Sequence, residues 1–346
     1  MRRATSFISG PLGAIVLVVA LMSVAMLVAG TSPIDGFSAL IVGSLGGRSQ
    51  IGETLVATSA LLFPSLGVAL AFRAGLFNIG AEGQLLVGAM LAGAFGGFVS
   101  APPVVAVVVM LVLGAIGGGF WGAIAGWMKA RLRANEIIST LMLNFVAQYL
   151  TLFVVTQWLL GPSATGAETP WLPNNYWLPT LIPHTRLSIG ILVALAIAAA
   201  LQFLFTRTVL GYEMRVAGEA PEAARRNGIN LSRITWLSLA LSGAIAGVGG
   251  ATIVTGELHR FNTQLSPGYG YIAIAVALVG DLDPIKVCIA SFFFGILEAG
   301  GLAMQASAQV PKDAIHVIEG LIILVLAARR YVAQRSERVE EAAASS

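Results

Sequence analysis

The chain has 346 residues, of which 57% are hydrophobic and only 11% charged, with a formal net charge of +3 and a mean hydropathy of +0.85. Soluble domains carry about one-quarter charged residues, so this composition excludes one and implies a polytopic membrane protein, with no nucleic-acid partner expected. Forty glycines suit helices that approach closely in lipid, where small residues replace the hydrophobic drive. The expected fold is therefore all-α, a transmembrane helix bundle. The single cysteine, Cys288, sits in an apolar run as a small buried hydrophobe, leaving neither a disulfide framework nor a thiolate metal site.

Runs of about 20 apolar residues mark candidate spans. They fall at Leu12–Ala29, Ile51–Phe72, Leu85–Ser100, Val104–Trp127, Ile137–Leu160 and Leu187–Phe205, then at Thr235–Thr255, Tyr271–Val279, Ile285–Met304 and Ile315–Ala328. That makes ten, the eighth too short to cross unaided. Arg2 and Arg3 give the first run the look of a signal peptide, but its length and the lack of a small-x-small cleavage site before Thr31 favour a retained span. Threaded with the amino terminus inside, the spans leave sixteen Lys and Arg on one side and only Arg48, Arg186, Arg260 and Lys312 on the other. This asymmetry predicts a multi-pass protein of the cell membrane with both termini in the cytoplasm. One membrane domain over residues 1–336 is expected, followed by a polar, disordered tail at 337–346.

The largest outer loop, Gly161–Arg186, holds five prolines together with Trp171, Tyr176 and Trp177. Its aromatics suit either the headgroup level or a platform for an external partner. The longest polar interruption is residues 207–234, with Arg207, Arg215, Arg225, Arg226 and Arg233 beside Glu213, Glu219 and Glu222. The spacing there predicts a short cytoplasmic helix after Gly218. Pro221 suits its first position, Glu219 and Glu222 its positive end, and Arg225 and Arg226 its negative end. Gly228 would stop it in a left-handed conformation. Ala223 and Ala224 would give this helix a small face able to dock in a partner's groove.

Polar residues also stand where lipid should be. Arg73–Gln84 is too glycine-rich for a good helix and too apolar for a free loop, which predicts a broken or re-entrant connection buried in protein. Asn78, Glu82 and Gln84 would then line a path; the alternative is a tight turn in which Glu82 pairs with Arg73. Asn135 caps the fifth span, Ser139 and Thr140 follow it, and Asn144 lies deep enough to need a partner. Glu298 is mid-run beside Gly295, Gly300 and Gly301, with Gln305 two turns on. An acid at a helix centre costs about 2.5 to 3.5 kcal/mol on the insertion scale, so Glu298 should face the bundle interior, as a substrate contact or as partner to an interhelical hydroxyl. Asp281-Leu282-Asp283-Pro284 reads as a turn and a helix start. His184, His259 and His316 show no metal-ligand spacing. A phosphate-binding GxxxxGK[ST] loop and the HExxH and GxSxG signatures are all missing, which disfavours an enzyme.

Several of these stretches resemble a known family. Glu222-Ala223-Ala224-Arg225-Arg226-Asn227-Gly228 has the EAAxxxG form by which importer permeases of the ATP-binding-cassette class couple to their ATPase. Gly75-Leu76-Phe77-Asn78-Ile79-Gly80-Ala81-Glu82-Gly83-Gln84 is similar to the signature of nucleoside-type permeases in the branched-chain amino acid and simple-sugar permease superfamily. So are Asn135 to Asn144, Gly268 to Leu278, and Gln305. The resemblance runs from about Gly52 to Arg330. It implies a type II importer permease of about ten spans, with Glu222 to Gly228 as coupling helix and Asn78, Glu82 and Gln84 on or near the translocation path. It further implies a second permease, a cytoplasmic cassette ATPase and an external binding lipoprotein, with ATP and Mg held by the ATPase and no cofactor on this chain. Asn78 and Glu82 favour nucleosides, moved by alternating access. The competing expectations are a ribose-like sugar or a branched-chain amino acid as cargo, an ion-coupled transporter using Glu298 or Glu82, and a scaffold or receptor subunit without transport.

Overall fold

The computed structural model describes residues 19, 20, 22–24, 26, 27, 30–307 and 320. The expected tenth span, the 337–346 tail and most of the first span lie outside the described residues, as do Arg2, Arg3, Lys312, His316 and the arginines beyond residue 328. The helices are α1 (Pro33–Leu45), α2 (Arg48–Arg73), α3 (Ala81–Phe98), α4 (Pro103–Leu132), α5 (Glu136–Trp158), α6 (Gly190–Arg207), α7 (Val209–Glu219), α8 (Pro221–Arg226), α9 (Leu231–Ile253), α10 (Tyr269–Val279) and α11 (Pro284–Ser307). A π-helical turn, Val254–Leu258, extends α9. Among the described residues six helices are long and apolar enough to cross a membrane: α2, α4, α5, α6, α9 with its extension, and α11.

The apolar runs anticipated these six, and also α3 and the short α10. Apart from α8, expected from its capping residues, two helices escaped them. Asp35 and Gly36 interrupt the apolar pattern of α1, which Ser32 caps and Pro33 opens. Helix α7 is amphipathic rather than apolar, and its start is fixed by Thr208, whose hydroxyl accepts from Gly211 N–H at 3.1 Å. Helix α8 begins at Pro221, and Gly228 (φ +78°) stops it as expected. Two expectations for this segment are corrected. Glu219 ends α7 instead of opening α8, because Ala220 (φ −143°, ψ 73°) breaks the helix between them. The alanines do not share an exposed face: Ala223 is exposed, whereas Ala224 is fully buried within its own chain.

The described residues divide into two compact units, residues 55–295 and the others, with α2 and α11 contributing to both. The larger is centred on a crossing of α3, α4 and α9. Glycines recur every fourth residue on α4 (Gly114, Gly118, Gly122) and α9 (Gly243, Gly247), with Gly88 facing them from α3. A Cβ built at Gly118 would lie 2.7 Å from Gly247 Cα, and one at Gly88 2.7 Å from Gly247 O and 2.8 Å from Gly114 O. Backbone therefore packs on backbone, the small-residue contact that helices in lipid use. In the smaller unit α1 meets the carboxyl end of α11 in the same way, with Gly43 against Ala303 and Gly300 against Leu40, and Thr54 Oγ1 donates to Ser44 O at 2.8 Å.

The long loop is a packed cap. Its segment near residue 168 makes a β-bridge between Glu168 and Asn262, and Leu172 N–H donates to His259 O at 2.8 Å. The π turn leaves Thr255 O free of an α-helical partner, and Leu178 N–H takes it at 2.9 Å. The aromatics make contacts within this cap, although Trp171 and Trp177 also remain exposed. Tyr176 is buried with its hydroxyl on the backbone of Ala101, Trp177 stacks on His259 at 3.7 Å, and the Arg260 guanidinium lies 4.3 Å over Trp171 while pairing with Glu168 at 2.6 Å. Burial holds the His259 imidazole below its usual value, against the Thr255 carbonyl contact that favours the charged form.

The glycine crossing yields a test. A side chain at Gly247 would collide with Gly114 O and fall 2.9 Å from Gly118 Cα. Gly247→Val is expected to destabilise the protein by at least the ~1–3 kcal/mol typical of overpacking, read as a lower melting temperature in detergent. An unchanged melt would contradict the crossing.

A buried polar network at the helix break

Helix α2 stops at Arg73 because Gly75 adopts the left-handed conformation (φ +74°). Leu76 N–H reaches back to Ala71 O and Gly75 N–H to Phe72 O, each at 3.0 Å, the bond pair of a glycine-terminated helix. The chain is then non-helical until Ala81. The break is shorter than the Arg73–Gln84 stretch expected, because Glu82, Gly83 and Gln84 already form the first turn of α3.

Irregular backbone deep in a membrane protein must find hydrogen bonds inside the protein. Here it finds them on α5 and on its own Asn78, and those side chains are in turn bonded to α9 and α10. Asn78 Oδ1 accepts from Gly80 N–H at 2.9 Å and Gln84 Nε2 at 3.2 Å, while Asn78 Nδ2 donates to Gln84 Oε1 at 2.9 Å and to Ser242 Oγ of α9 at 2.8 Å. From α5, Thr140 Oγ1 accepts from Ile79 N–H at 3.2 Å. Asn144 bridges two elements: its Oδ1 accepts from Gly83 N–H at 2.9 Å, and its Nδ2 donates to Ile79 O at 2.8 Å and to the Tyr271 hydroxyl of α10 at 3.2 Å. Glu82 accepts from Gly270 N–H at 2.7 Å. Its carboxylate thus stands at the amino-terminal turns of both α3 and α10, where helix dipoles favour negative charge.

Asn78, Glu82, Gln84 and Asn144 are therefore brought together, and all four are buried, Asn78 completely. They use their polar atoms on backbone and on one another, so the tight-turn alternative pairing Glu82 with Arg73 is not what forms. Arg73 instead lies 4.6 Å over the Phe205 ring. Phe77 is the large side chain that the break leaves exposed. Glu298, half-buried, and Gln305, exposed, belong to the smaller unit. Ser242, Tyr271 and Gly270 were not singled out as site residues, because a serine, a tyrosine and a glycine inside apolar runs carry no signal until the tertiary contact is known. Asn135 caps α5 as expected, accepting from Ile137 N–H at 2.9 Å, and Asp283 opens α11 by accepting from Ile285 and Lys286 N–H. Among the described residues no three His, Cys, Asp or Glu side chains gather as a metal site.

The network's worth can be measured. Asn78→Leu strands Gln84, Ser242 and Gly80 N–H in the interior, at about 1–3 kcal/mol for each unsatisfied group. Its melting temperature in lipid nanodiscs should fall clearly, whereas Glu82→Gln, which keeps an acceptor for Gly270 N–H, should melt close to wild type. Equal melts for Asn78→Leu and wild type would show that the network carries no weight.

Comparison with known proteins agrees with this architecture. Residues 50–327 match the family described as branched-chain amino acid transport system / permease component. A guanosine ABC transporter permease protein of Bacillus subtilis is 34% identical over 94% of this chain and 95% of its own length. A nucleoside ABC transporter permease protein of Lactococcus lactis is 31% identical over 95% and 93%, and a glucose ABC transporter permease protein of Haloferax volcanii 33% identical over 91% and 86%. The two bacteria each hold a second, more distant permease with the same printed cargo. No solved structure matches. The chain, a multi-pass helical membrane protein by its six apolar helices, belongs to the branched-chain amino acid transport system permease family.

Proposed function

We propose that this chain is a permease subunit of an ATP-binding-cassette importer and moves nucleosides into the cytoplasm by alternating access. The observation that most supports this is the near full-length similarity to two permeases named for guanosine and nucleosides, joined to a break in the bundle whose polar residues are the ones that favoured nucleosides in the sequence. On this reading the chain has about ten spans. These are the six long apolar helices, α3, the short α10, and the two runs at the ends of the chain. Both termini are cytoplasmic, on the strength of the Lys and Arg asymmetry. The permease domain covers residues 1–336 and the 337–346 tail is disordered.

Helix α8 with its flanks, Gly218 to Gly228, is the coupling segment, and exposed Ala223 and Glu222 face the ATPase. Asn78, Glu82, Gln84, Asn144, Glu298 and Gln305 lie on or beside the path, the first four by shaping its wall through the backbone they hold. A second permease, a cytoplasmic ATPase carrying ATP and Mg, and an external binding lipoprotein complete the machine. The paired permeases of the two bacterial relatives favour a heterodimer. A docking helix does work only if its partner's two nucleotide states bind it differently, since equal affinity shifts no population.

A sugar cargo is the second reading, favoured by the similarity to a permease named for glucose. Reconstituting the chain in proteoliposomes with its second permease, ATPase and binding lipoprotein distinguishes the two. Labelled guanosine should accumulate only with ATP inside the ATPase compartment, and excess glucose should not compete. Uptake without ATP would support an ion-coupled transporter instead, and competition by glucose alone would support the sugar reading.

A further inference from the structure

Between α8 and the polar network the chain has one place where two backbones touch with no side chain between them. Gly218, in the last turn of α7, lies directly on the end of α2. A Cβ built at Gly218 would fall 2.7 Å from Gly75 N and 2.9 Å from Ala74 C, and closer still to Arg73 O; one built at Gly75 would fall 2.8 Å from Gly218 Cα. Only glycine at both positions allows this approach, and Gly75 is the same residue whose left-handed conformation ends α2.

The contact is braced on both sides. Arg215, one turn before Gly218 on α7, donates from Nη2 to Phe205 O at 2.7 Å. Arg73, the last residue of α2, places its guanidinium over the ring of that same Phe205 at 4.6 Å. The ends of α2, α6 and α7 therefore meet in one corner. On one side of this corner, α7 continues through the single residue Ala220 into α8, whose Ala224 is buried against the chain itself. On the other, three residues after Gly75, stands Asn78, bonded to Gln84 and to Ser242 of α9.

We propose that the Gly218–Gly75 contact is the joint through which movement of α7 and α8 displaces the break and its network, with Gly218 acting as a positioning residue for transport. The inference rests on the importer reading above and specifies where its mechanical link lies. Backbone contact suits such a joint. Side chains can absorb a displacement by changing rotamer, whereas two peptide backbones pressed together pass it on, and packed contacts of this kind can carry coupling between distant sites.

The test uses the complete reconstituted complex and the ratio of substrate molecules taken up to ATP hydrolysed. Gly218→Ala is expected to lower that ratio by about tenfold, within the usual range of coupling between sites. Gly250→Ala, whose Cβ would press on Leu85 O and on Ala89 N (2.9 Å) in the core away from the joint, serves as a packing control. It should lower the yield of complex and leave the ratio unchanged. An unchanged ratio in Gly218→Ala, or equal loss in both variants, overturns the joint while leaving the importer reading intact; absence of ATP-driven uptake by the wild type overturns both. Should Gly218→Ala fail to assemble, the exposed Phe77 offers a second readout. In a Cys288→Ser background, labelling of Phe77→Cys by a membrane-permeant maleimide should change severalfold when a non-hydrolysable ATP analogue fills the ATPase. A constant labelling rate contradicts the joint.

Discussion

Peptide groups cannot go unpaired in a hydrocarbon environment, and that constraint explains more of this molecule than any other. Helices satisfy it internally, which is why the described regular structure is helical. The chain departs from it between α2 and α3, and there the pairing is taken over by side chains from elsewhere. Thr140 and Asn144 reach in from α5 to the backbone, while Ser242 of α9 and Tyr271 of α10 bond the side chains of Asn78 and Asn144. Each buried amide of the network is used at both its oxygen and its nitrogen. Such a closed arrangement is rigid, and a partly filled one would cost more than an apolar core.

The glycines serve the same end by a different route. Where α3, α4 and α9 cross, they let helices approach until backbone meets backbone, which places Ser242 near enough to Asn78 for a 2.8 Å bond. A larger residue at Gly243 or Gly247 would move α9 away, and the network would lose its α9 anchor. Composition, crossing geometry and polar network are thus consecutive steps, from small residues to close helices to satisfied polar groups.

Much of this was legible in the sequence. Apolar runs located the six long helices and α10, Asn135 and Pro221 marked helix starts, and Gly228 marked a stop, because each of those signals is local. Asn144 could be seen to need a partner but not which one, since its bonds go to residues 79, 83 and 271. An acid before a proline favours a helix start, but the backbone breaks at Ala220, so Glu219 closes α7 instead. The contacts of the loop aromatics with His259, Arg260 and Ala101 of the same chain were not visible, although Trp171 and Trp177 also keep an exposed face. Contacts between residues far apart in sequence leave no trace in periodicity.

The claim that matters most is that side chains of the break and of α5 hold the peptide groups of Ile79, Gly80 and Gly83 inside the protein. Amide hydrogen exchange on the chain in lipid nanodiscs tests this most directly. The amides of Ile79, Gly80 and Gly83 should exchange as slowly as those in the middle of α3, although none of them has a helical partner. Rapid exchange at these three, against protected neighbours in α2 and α3, would mean the break is open to water and the network does not hold it.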